Sequence, residues 1–334
     1  MLEKVLPLFN SHSGCDYHRI RLPMESMGYD FSTKTKEQLE EVQVIYFNRV
    51  PNRLDLVRQA TGFGTKLVMD LDDYWELYPE HPMLPWWKHN KMSIATVEMI
   101  KASDAVTCTT TRLADKIMPY NKNVFVIPNA APNSGQFLSK EKVYNRDSTR
   151  FGYIGGSSHL LDIKRIAPVF RHFPTLDFTL FGYTPMPPAR THEPNVWDKI
   201  QAVCNFNGHN PNYKRVDSKD LSSYMEHYDQ IDVAIAPLAD NEFNRHKSSL
   251  KFYEAASKGC AFVGSLMPPY SDDVPFDAAI LCDKTKDWVD AFKRLKDPNL
   301  VQELGEAAHS WVREHRDMTK VNKLRTELFE SLIK

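Results

Sequence analysis

One stretch in the second half of the chain, DNEFNRHKSSLKFYEAASKG (240–259), combines the residue types needed to bind a phosphorylated ligand. It follows the apolar pattern IDVAIAPL, and two adjacent serines fit the N-cap of a helix. The unpaired N–H groups and positive dipole end of that helix can hold a diphosphate, and Lys247 and Lys251 add charge. Glu254, about one and a half turns further on, can accept hydrogen bonds from ribose hydroxyls. Spacing alone leaves open a capped amphipathic helix with solvated lysines.

A glycine pair opens the second half of the chain in FGYIGGSSHLLDIKRI (151–166). Gly155 and Gly156 lie between a strand pattern and a helix pattern, where they allow the backbone to approach a phosphate or a sugar closely. The segment lacks G-x-G-x-x-G, so the fingerprint of a dinucleotide site is missing. The turn therefore indicates ligand binding and disfavours a dehydrogenase.

Three carboxylates, Asp70, Asp72 and Asp73, end a buried strand pattern in KLVMDLDDYWELYPEHP (66–82). A D-x-D after a strand can bind a divalent cation that bridges a diphosphate. The alternative is that Asp72 or Asp73 lines a cleft and hydrogen-bonds a sugar or an acceptor, while Asp70 caps the next segment. Both interpretations are open at this point.

Two adjacent tryptophans, Trp86 and Trp87, lie in PEHPMLPWWKHN (79–90), a predicted loop. Adjacent side chains cannot both face one core, so one exposed indole is expected. An exposed indole is a natural platform for a sugar ring or a base. The alternative is one indole in the core and the other at an interdomain surface.

The elements that must position these residues follow one pattern along the chain: short β-branched runs alternate with longer amphipathic stretches, which is typical of parallel strands joined by helices. The predicted strands are 5–9, 42–48, 66–72, 105–110, 124–129, 150–156, 176–183, 203–208, 231–238, 260–265 and 278–283. We predict an α/β fold with two Rossmann-like, doubly wound domains facing a central cleft. Ligands of such sheets bind beyond the carboxyl ends of the strands.

The length of 334 residues fits two domains. We predict an N-terminal Rossmann-like domain at 1–130, a linker at 131–149 and a C-terminal Rossmann-like domain at 150–315. The last helix, 316–334, is expected to pack back on the N-terminal domain.

The composition excludes several classes of protein. The chain is 42% apolar and 25% charged, as in ordinary globular proteins, and its 42 Lys+Arg against 43 Asp+Glu give no electrostatic footprint for nucleic acid. No run approaches the roughly 20 apolar residues of a membrane span, and the N-terminus lacks the features of a secretory signal. The five cysteines lack a C-x-x-C motif, which favours free thiols over a disulfide frame or a zinc site. A soluble cytoplasmic protein is expected.

The segment KSSLKFYEAASKGCAFV (247–263) resembles the donor-binding helix of glycosyltransferase family 4 and related enzymes with the GT-B fold of two Rossmann-like domains. The family pattern is E-x7-E followed by A-x-x-x-G-x-P-V, and its second Glu, which binds the donor ribose, matches Glu254. The first Glu is replaced by His246. The turn GGSSHLLD resembles a G-G-x-x-H-x-x-D form, which adds His159 and Asp162. The donor-binding residues implied are Gly155, Gly156, His159, Lys247, Ser248, Ser249, Leu250, Lys251 and Glu254.

In the first half, NSHSGCDYHRIRLPM (10–24) resembles the glycine loop and the Y-x-R-I-x-x-P entry of the same relatives. A solvated Arg19 in the first helical turn is the alternative. The acceptor-binding residues predicted with this resemblance are Gly14, Asp16, Tyr17, Trp86 and Trp87. The catalytic candidates are Asp72, Asp73, Arg19 and His246.

The resemblance implies transfer of a sugar from a nucleotide-sugar, with a UDP-sugar favoured, to an acceptor hydroxyl. It implies that the domain at 150–315 binds the nucleotide-sugar and that the domain at 1–130 binds the acceptor. It also implies retention of the anomeric configuration and no metal or other cofactor. Lys247, Lys251 and the helix N-terminus would neutralise the departing nucleoside diphosphate, and domain closure would exclude water.

The Y-H-R-I and D-L-D-D-Y-W segments resemble bacteriophage-encoded glycosyltransferases, whose location would be the host cytoplasm. For such an enzyme one acceptor is a hydroxymethylated pyrimidine in DNA, flipped into the cleft with the help of Arg19 and an exposed Trp86 or Trp87. A glycan is the other acceptor. A non-catalytic nucleotide- or sugar-binding module and a sugar-nucleotide epimerase on the same fold are the alternative functions.

Overall fold

The computed structural model describes residues 1–9, 13–49, 54–62, 64–138, 142–145, 147–185 and 195–333. Within these residues the first half of the chain forms a parallel sheet with the strand order β1-β2-β3-β4-β5. The strands are β1 (Val5–Leu8), β2 (Val44–Asn48), β3 (Lys66–Leu71), β4 (Ala105–Cys108) and β5 (Val124–Val126). Each lies within a predicted strand of the first half.

Short helices connect these strands. They are α1 (Gly14–Asp16), α2 (Leu22–Ser26), α3 (Lys36–Glu40), α4 (Leu54–Thr61), α5 (Leu84–His89), α6 (Met92–Ala102) and α7 (Thr111–Ile117), and a π-helical turn, Tyr17–Arg21, joins α1 to α2. The prediction of a loop over 79–90 was wrong, because α5 lies inside it. Pro85 in the first turn of α5 fits a helix start, where a missing N–H costs nothing.

The second half forms a six-stranded parallel sheet in the order β11-β10-β9-β6-β7-β8. Its strands are β6 (Phe151–Ile154), β7 (Phe178–Tyr183), β8 (Tyr213–Asp217), β9 (Val233–Ala236), β10 (Ala261–Ser265) and β11 (Ile280–Cys282). This is the strand order of the Rossmann fold, in which the order reverses between β6 and β9.

One strand of the second sheet was predicted in the wrong place. The segment 203–208 contains the end of a helix, Val196–Cys204, and the turn after it. The strand at this position in the sheet is β8, whose pattern is half exposed and polar. An edge strand has only one neighbour, so it does not need the apolar run that predicts a central strand.

The helices of the second half complete the two layers around the second sheet. They are α8 (Leu160–Arg165), α9 (Ala167–His172), α10 (Val196–Cys204), α11 (Glu242–Arg245), α12 (Leu250–Ser257), α13 (Tyr270–Asp273), α14 (Thr285–Arg294), α15 (Pro298–His315) and α16 (Met318–Leu332). The last helix, predicted at 316–334, corresponds to α16.

Both faces of the first sheet are buried, which explains its near-continuous apolar strands. Val44 and Tyr46 pack on one face, and Ile45 and Phe47 pack on the other. The core on the face of Val44 and Tyr46 continues into the second half of the chain and includes Phe329 of α16. A shared core of this kind fixes the two sheets against each other.

The chain returns to its first half through α16. The Asn322 side chain donates to the carbonyl of Pro23 at 3.0 Å, and the ring of Phe329 lies 5.3 Å from that of Tyr46.

Within the described residues, no helix combines the length and the apolar character that crossing a membrane requires.

Candidate functional site

A cavity of about 530 Å³ lies where the order of the second sheet reverses. The chain leaving β6 supplies Gly155 and Gly156, the chain leaving β9 supplies Leu238, and residues of the first half close the opposite side. Ligands of open α/β sheets bind at this position because the connections on either side diverge there. The predicted site residues that line the cavity are Gly14, Arg19, Asp72, Asp73, Gly155, Gly156, His159, Lys247, Ser248, Leu250, Lys251 and Glu254.

Helix α12 begins at Leu250 and presents its N-terminus to this cavity. The first N–H groups of a helix have no partner within it, so they are available to an anion. Ser249 is the N-cap residue as predicted, but its hydroxyl donates to the carbonyl of Pro269 at 3.3 Å and does not cap the helix. Ser248 accepts a hydrogen bond from the Asn129 side chain at 2.7 Å, which ties this helix start to the first half of the chain.

Lys251 lies under the glycine turn. Its Nζ donates to the carbonyl of Ile154 at 2.6 Å and lies over the ring of Tyr153. Burial lowers the pKa of Lys251. A Cβ at Gly155 would lie 2.7 Å from this Nζ and 2.6 Å from the Tyr153 hydroxyl. Glycine at position 155 is therefore what lets the amine approach the turn.

Glu254 is held by three side chains. Tyr224 donates to its Oε1 at 2.7 Å, Tyr228 donates to its Oε2 at 2.8 Å, and Nε2 of His18 lies 3.4 Å from Oε1. Burial by itself raises the pKa of Glu254, but His18, Lys251 and Tyr224 outweigh it and lower the pKa below its ordinary value. The group is an ionised acceptor whose carboxylate retains lone pairs for further donors.

These three partners of Glu254 were missed by the sequence reasoning. Tyr224 and Tyr228 lie four residues apart in the 3-10 segment Tyr224–Gln230, and His18 comes from the π-helical turn of the first half. A tyrosine pair at a spacing of four was the available signal, but the same spacing is common among residues that pack in a core.

His159 and Asp162 form a pair at the glycine turn. Nδ1 of His159 lies 2.6 Å from Oδ2 of Asp162. The other oxygen of Asp162 accepts from the backbone N–H of Ala239 at 2.7 Å and from the Asn244 side chain at 2.8 Å. Since Asp162 is buried and bonded at both oxygens, it fixes the orientation of the imidazole. Asp162 is not a charge on the helix surface.

The carboxylates Asp72 and Asp73 face the second half of the chain across the cleft. Nη2 of Arg49 lies 3.3 Å from Asp72 and 3.5 Å from Asp73, and Nζ of Lys247 lies 3.1 Å from Asp73. Burial alone would raise the pKa of Asp72, but Arg49 helps to lower it below the ordinary value. The Asp72 carboxylate is therefore ionised, and Arg49 and Lys247 supply positive charge to the pair.

A ligand set for a metal can be tested at the same place. The Cys15 sulfur and one oxygen each of Asp72 and Asp73 lie within 4.8 Å of one another. Hard cations prefer oxygen ligands, and burial raises the pKa of the Cys15 thiol well above its ordinary value, which disfavours the thiolate that a softer metal needs. With Arg49 and Lys247 already against the carboxylates, the residues present fit a metal poorly.

Asp70 and Arg19 form a network beneath the cleft. Nε and Nη2 of Arg19 donate to the two oxygens of Asp70, each at 2.9 Å, and both side chains are fully buried. Asp70 also accepts from the side chains of Tyr46, Asn48 and Thr107. The prediction that Asp70 caps the next segment was wrong.

The position of Arg19 also differs from the expectation of a catalytic residue. Its remaining Nη1 donates to the Asn129 side chain at 3.1 Å, so every nitrogen of its guanidinium has a protein partner. Arg19 borders the cavity, but its charge is directed at Asp70. The alternative of a solvated Arg19 is wrong as well.

His246 does not line the cavity. Its Nδ1 donates to the carbonyl of Glu242 at 2.7 Å, and its ring packs at 5.0 Å against the ring of Tyr74. The prediction of a catalytic role rested on its place in the E-x7-E pattern. His246 lies in the turn before α12. Its side chain packs against the first-half segment that contains Tyr74 and is 6% exposed, so it does not reach the cavity.

The tryptophans divide as expected for adjacent side chains. Trp86 is 52% exposed, and Trp87 is buried with its indole N–H donating to the carbonyl of Trp75 at 2.9 Å. Neither lines the 530 Å³ cavity. They lie on α5, whose turn points one indole into the core and the other to solvent, so the predicted acceptor platform is absent from this cavity.

Two further acceptor candidates lie beside the cavity. Asp16 is bonded to Ser13 at the start of α1. Tyr17 accepts from the Gln136 side chain at 2.8 Å and lines a second, larger cavity of about 760 Å³, which meets the first at Leu221.

The two sheets, with the cavity at the reversal of the second one, define the GT-B fold, as the solved structures similar to this chain show. HepE from Anabaena in complex with UDP and glucose aligns with a TM-score of 0.68 and 13% identity over 98% of this chain and 99% of that chain. Sucrose-phosphate synthase from Thermosynechococcus elongatus aligns with a TM-score of 0.65 and 14% identity over 90% and 79%.

One curated relative is similar in sequence. A protein of Bacillus subtilis (strain 168) that bears the name teichuronic acid biosynthesis glycosyltransferase TuaH is 22% identical in an alignment 242 residues long that covers 66% of this chain. The aligned part spans 58% of that relative's length. No protein-family model matches the chain.

Proposed function

We propose that this protein is a glycosyltransferase that moves a sugar from a UDP-sugar to an acceptor hydroxyl. One observation carries the proposal: the glycine turn, the N-terminus of α12 and Glu254 meet in a single cavity at the reversal of the second sheet. In that arrangement an anion-binding helix start lies next to an ionised carboxylate, which are the two features that a nucleoside diphosphate requires. The glycosyltransferase name of the Bacillus relative and the UDP and glucose in the HepE complex support the same class.

In the proposed reaction, the bond between the sugar C1 and the β-phosphate oxygen breaks and its electron pair stays with the diphosphate. The N–H groups at Leu250 and Lys251 and the Lys251 amine stabilise that charge as it develops. Lys247 leaves Asp73 and pairs with the diphosphate when the donor binds. Glu254 accepts hydrogen bonds from the ribose hydroxyls while its two tyrosines hold it in place.

We propose that transfer needs no metal and retains the anomeric configuration. The lysines and the helix start supply the charge that a cation would otherwise supply. The acceptor oxygen then attacks C1 on the face from which the diphosphate departs, and the hydroxyl proton passes to the departing β-phosphate oxygen.

We propose a glycan as the acceptor and a cytoplasmic location. The glycan is favoured over a DNA base because the Arg19 guanidinium is already bonded to Asp70 and Asn129, and because the exposed indole of Trp86 does not line the cavity. The five cysteines are free thiols, which fits a reducing compartment.

The proposal is tested by calorimetric titration of the protein with UDP, GDP and dTDP, each with and without EDTA. Specific binding of UDP that EDTA does not change is expected. Binding that requires a divalent cation would contradict the metal-independent mechanism.

Products are then analysed with UDP-sugars alone and with glycan or hydroxymethylated DNA acceptors. Formation of a glycoside with a glycan supports the proposal. UDP binding without turnover would favour a non-catalytic module, and interconversion of the donor alone would favour an epimerase.

A further inference from the structure

A smaller cavity of about 230 Å³ opens from the donor cavity toward the first half of the chain. The two cavities share Asp73, His159 and Lys247, which lie where they meet. Ligand pockets for drug-sized molecules measure about 300–1,000 Å³, so this side cavity has room for about one sugar ring.

The walls of the side cavity come from both halves of the chain. Tyr78, His81 and Phe243 form a cluster in which ring centroids lie 5.1–6.1 Å apart. The hydroxyl of Tyr78 donates to the carbonyl of Ser158 at 3.0 Å, which ties the cluster to the glycine turn. Aromatic faces next to polar groups are suited to the mixed apolar and hydroxyl surface of a sugar.

Two imidazoles in this cavity have opposite tautomers. The backbone N–H of Met83 donates to Nδ1 of His81 at 3.2 Å, so a neutral His81 carries its proton on Nε2. Nδ1 of His159 lies 2.6 Å from a carboxylate oxygen of Asp162, which can only accept, so a neutral His159 carries its proton on Nδ1.

This arrangement provides one donor and one acceptor. Within the described residues, the hydrogen bonds to both rings go to Nδ1, so Nε2 of His81 can donate and Nε2 of His159 can accept. Burial lowers the pKa of His81 to about 4 and also lowers that of His159, so both rings are neutral near pH 7. A sugar hydroxyl can bond to either ring.

The charges of the side cavity are balanced. Its charged lining residues are Arg49, Lys247, Asp73 and Asp162, two of each sign when the imidazoles are neutral. Both cations face Asp73, and Asp162 faces His159. A carboxylate on the bound sugar would meet no uncommitted cation among these lining residues, which favours a neutral sugar over an acidic one.

We propose that the side cavity binds the transferred sugar, a neutral hexose, through the imidazoles of His81 and His159. This rests on the proposed function, because it assumes a UDP-sugar donor. The first Glu of the family pattern is replaced here by His246, which packs against Tyr74 and lines neither cavity.

The test compares dissociation constants for UDP, UDP-glucose, UDP-galactose and UDP-glucuronic acid, measured by calorimetry at pH 7.5. For the wild-type protein we expect one of the two UDP-hexoses to bind at least about tenfold more tightly than UDP and than UDP-glucuronic acid. In His81→Gln and in His159→Gln this advantage should fall to less than about threefold. The constant for UDP should change less than about twofold in His81→Gln, because His81 does not line the donor cavity.

His89→Gln is the matched control, because His89 is an exposed residue of α5, in the same part of the first half as His81. It should leave all four constants unchanged. Thermal unfolding verifies that both site variants are folded. The two substitutions lie in different halves of the chain.

The proposal is overturned if UDP-glucuronic acid is the tightest ligand, if neither hexose binds more tightly than UDP, or if both variants keep the hexose advantage. If UDP binds in any of these cases, only this inference is overturned and the proposed function is not. Failure of UDP itself to bind overturns the proposed function, and this inference with it.

Discussion

The two walls of the cleft use charged side chains in opposite ways. On the wall formed by the second half, Lys251 and Glu254 border the cavity next to a glycine turn and a helix start. On the wall formed by the first half, Arg19 and Asp70 are bonded to each other in the interior. Charged side chains are thus site residues on one wall and structural residues on the other, and their partners decide which.

The largest effect expected from this comparison is on stability. Asp70→Ala leaves the Arg19 guanidinium buried and without its carboxylate, and removing one partner of a buried pair typically costs about 3–5 kcal/mol. We expect the free energy of unfolding in urea to fall by that amount. Asp72→Ala, at a pair that is partly exposed, should cost about 1 kcal/mol or less. Equal losses in the two variants would remove the distinction between the buried network and the cleft carboxylates.

A second effect concerns pH and the core behind the second wall. His227 is buried against Phe181, with ring centroids 4.8 Å apart, and burial lowers its pKa to about 4. An unfolded histidine titrates near pH 6.5. The unfolded state therefore binds more protons between these values, and the free energy of unfolding falls as the pH is lowered from about 6.5 to 4.

The contribution of His227 to this loss is about 3 kcal/mol at most. His227→Phe should remove this contribution to the pH dependence. Urea unfolding of both proteins at pH 7, 5.5 and 4.5 measures it. The UDP affinity of the variant at pH 7 should be unchanged. An identical pH dependence in the variant would mean that another group, such as His81 on the first wall, causes the loss.

The third prediction addresses the donor wall directly. Glu254→Ala removes the carboxylate that Tyr224 and Tyr228 hold, and UDP affinity should fall at least about tenfold, which corresponds to about 1.4 kcal/mol. Calorimetry gives the dissociation constant, and thermal unfolding of the same sample verifies the fold. Glu303→Ala, at an exposed position of α15, is the control. Unchanged UDP affinity in Glu254→Ala would contradict the site.

The smallest effect compares one glycine from each wall. Gly155→Ala places a methyl group 2.7 Å from Nζ of Lys251, so the amine must move and UDP affinity should fall a few-fold. Gly14→Ala meets its nearest atom, Cδ2 of Leu221, at 4.0 Å and should bind UDP as the wild type does. Calorimetric titration with UDP gives the dissociation constant of each variant. A larger loss of UDP affinity in Gly14→Ala than in Gly155→Ala would show that the diphosphate lies closer to α1.

Much of the fold could be predicted from residue patterns because buried parallel strands are nearly continuous apolar runs. Segments such as VIYFN and VAIA are recognisable without structural information. The prediction failed where burial is incomplete: β8 is a polar edge strand, and α5 is a short helix whose proline and paired tryptophans suggested a loop. An element with one neighbour carries a weaker apolar signal than one with two.

The candidate site was predictable to the extent that local sequence controls it. The sequence itself determined a glycine turn after one strand, a helix start after another and a glutamate one turn inside that helix, since these depend on φ/ψ preferences and hydrogen bonds between near neighbours. Only the tertiary structure decided that Arg19 is neutralised by Asp70, that His246 is enclosed behind Tyr74 and that His18 reaches Glu254. Those contacts join residues far apart in the chain, and their energies depend on burial and on the partners present, which residue types alone do not specify.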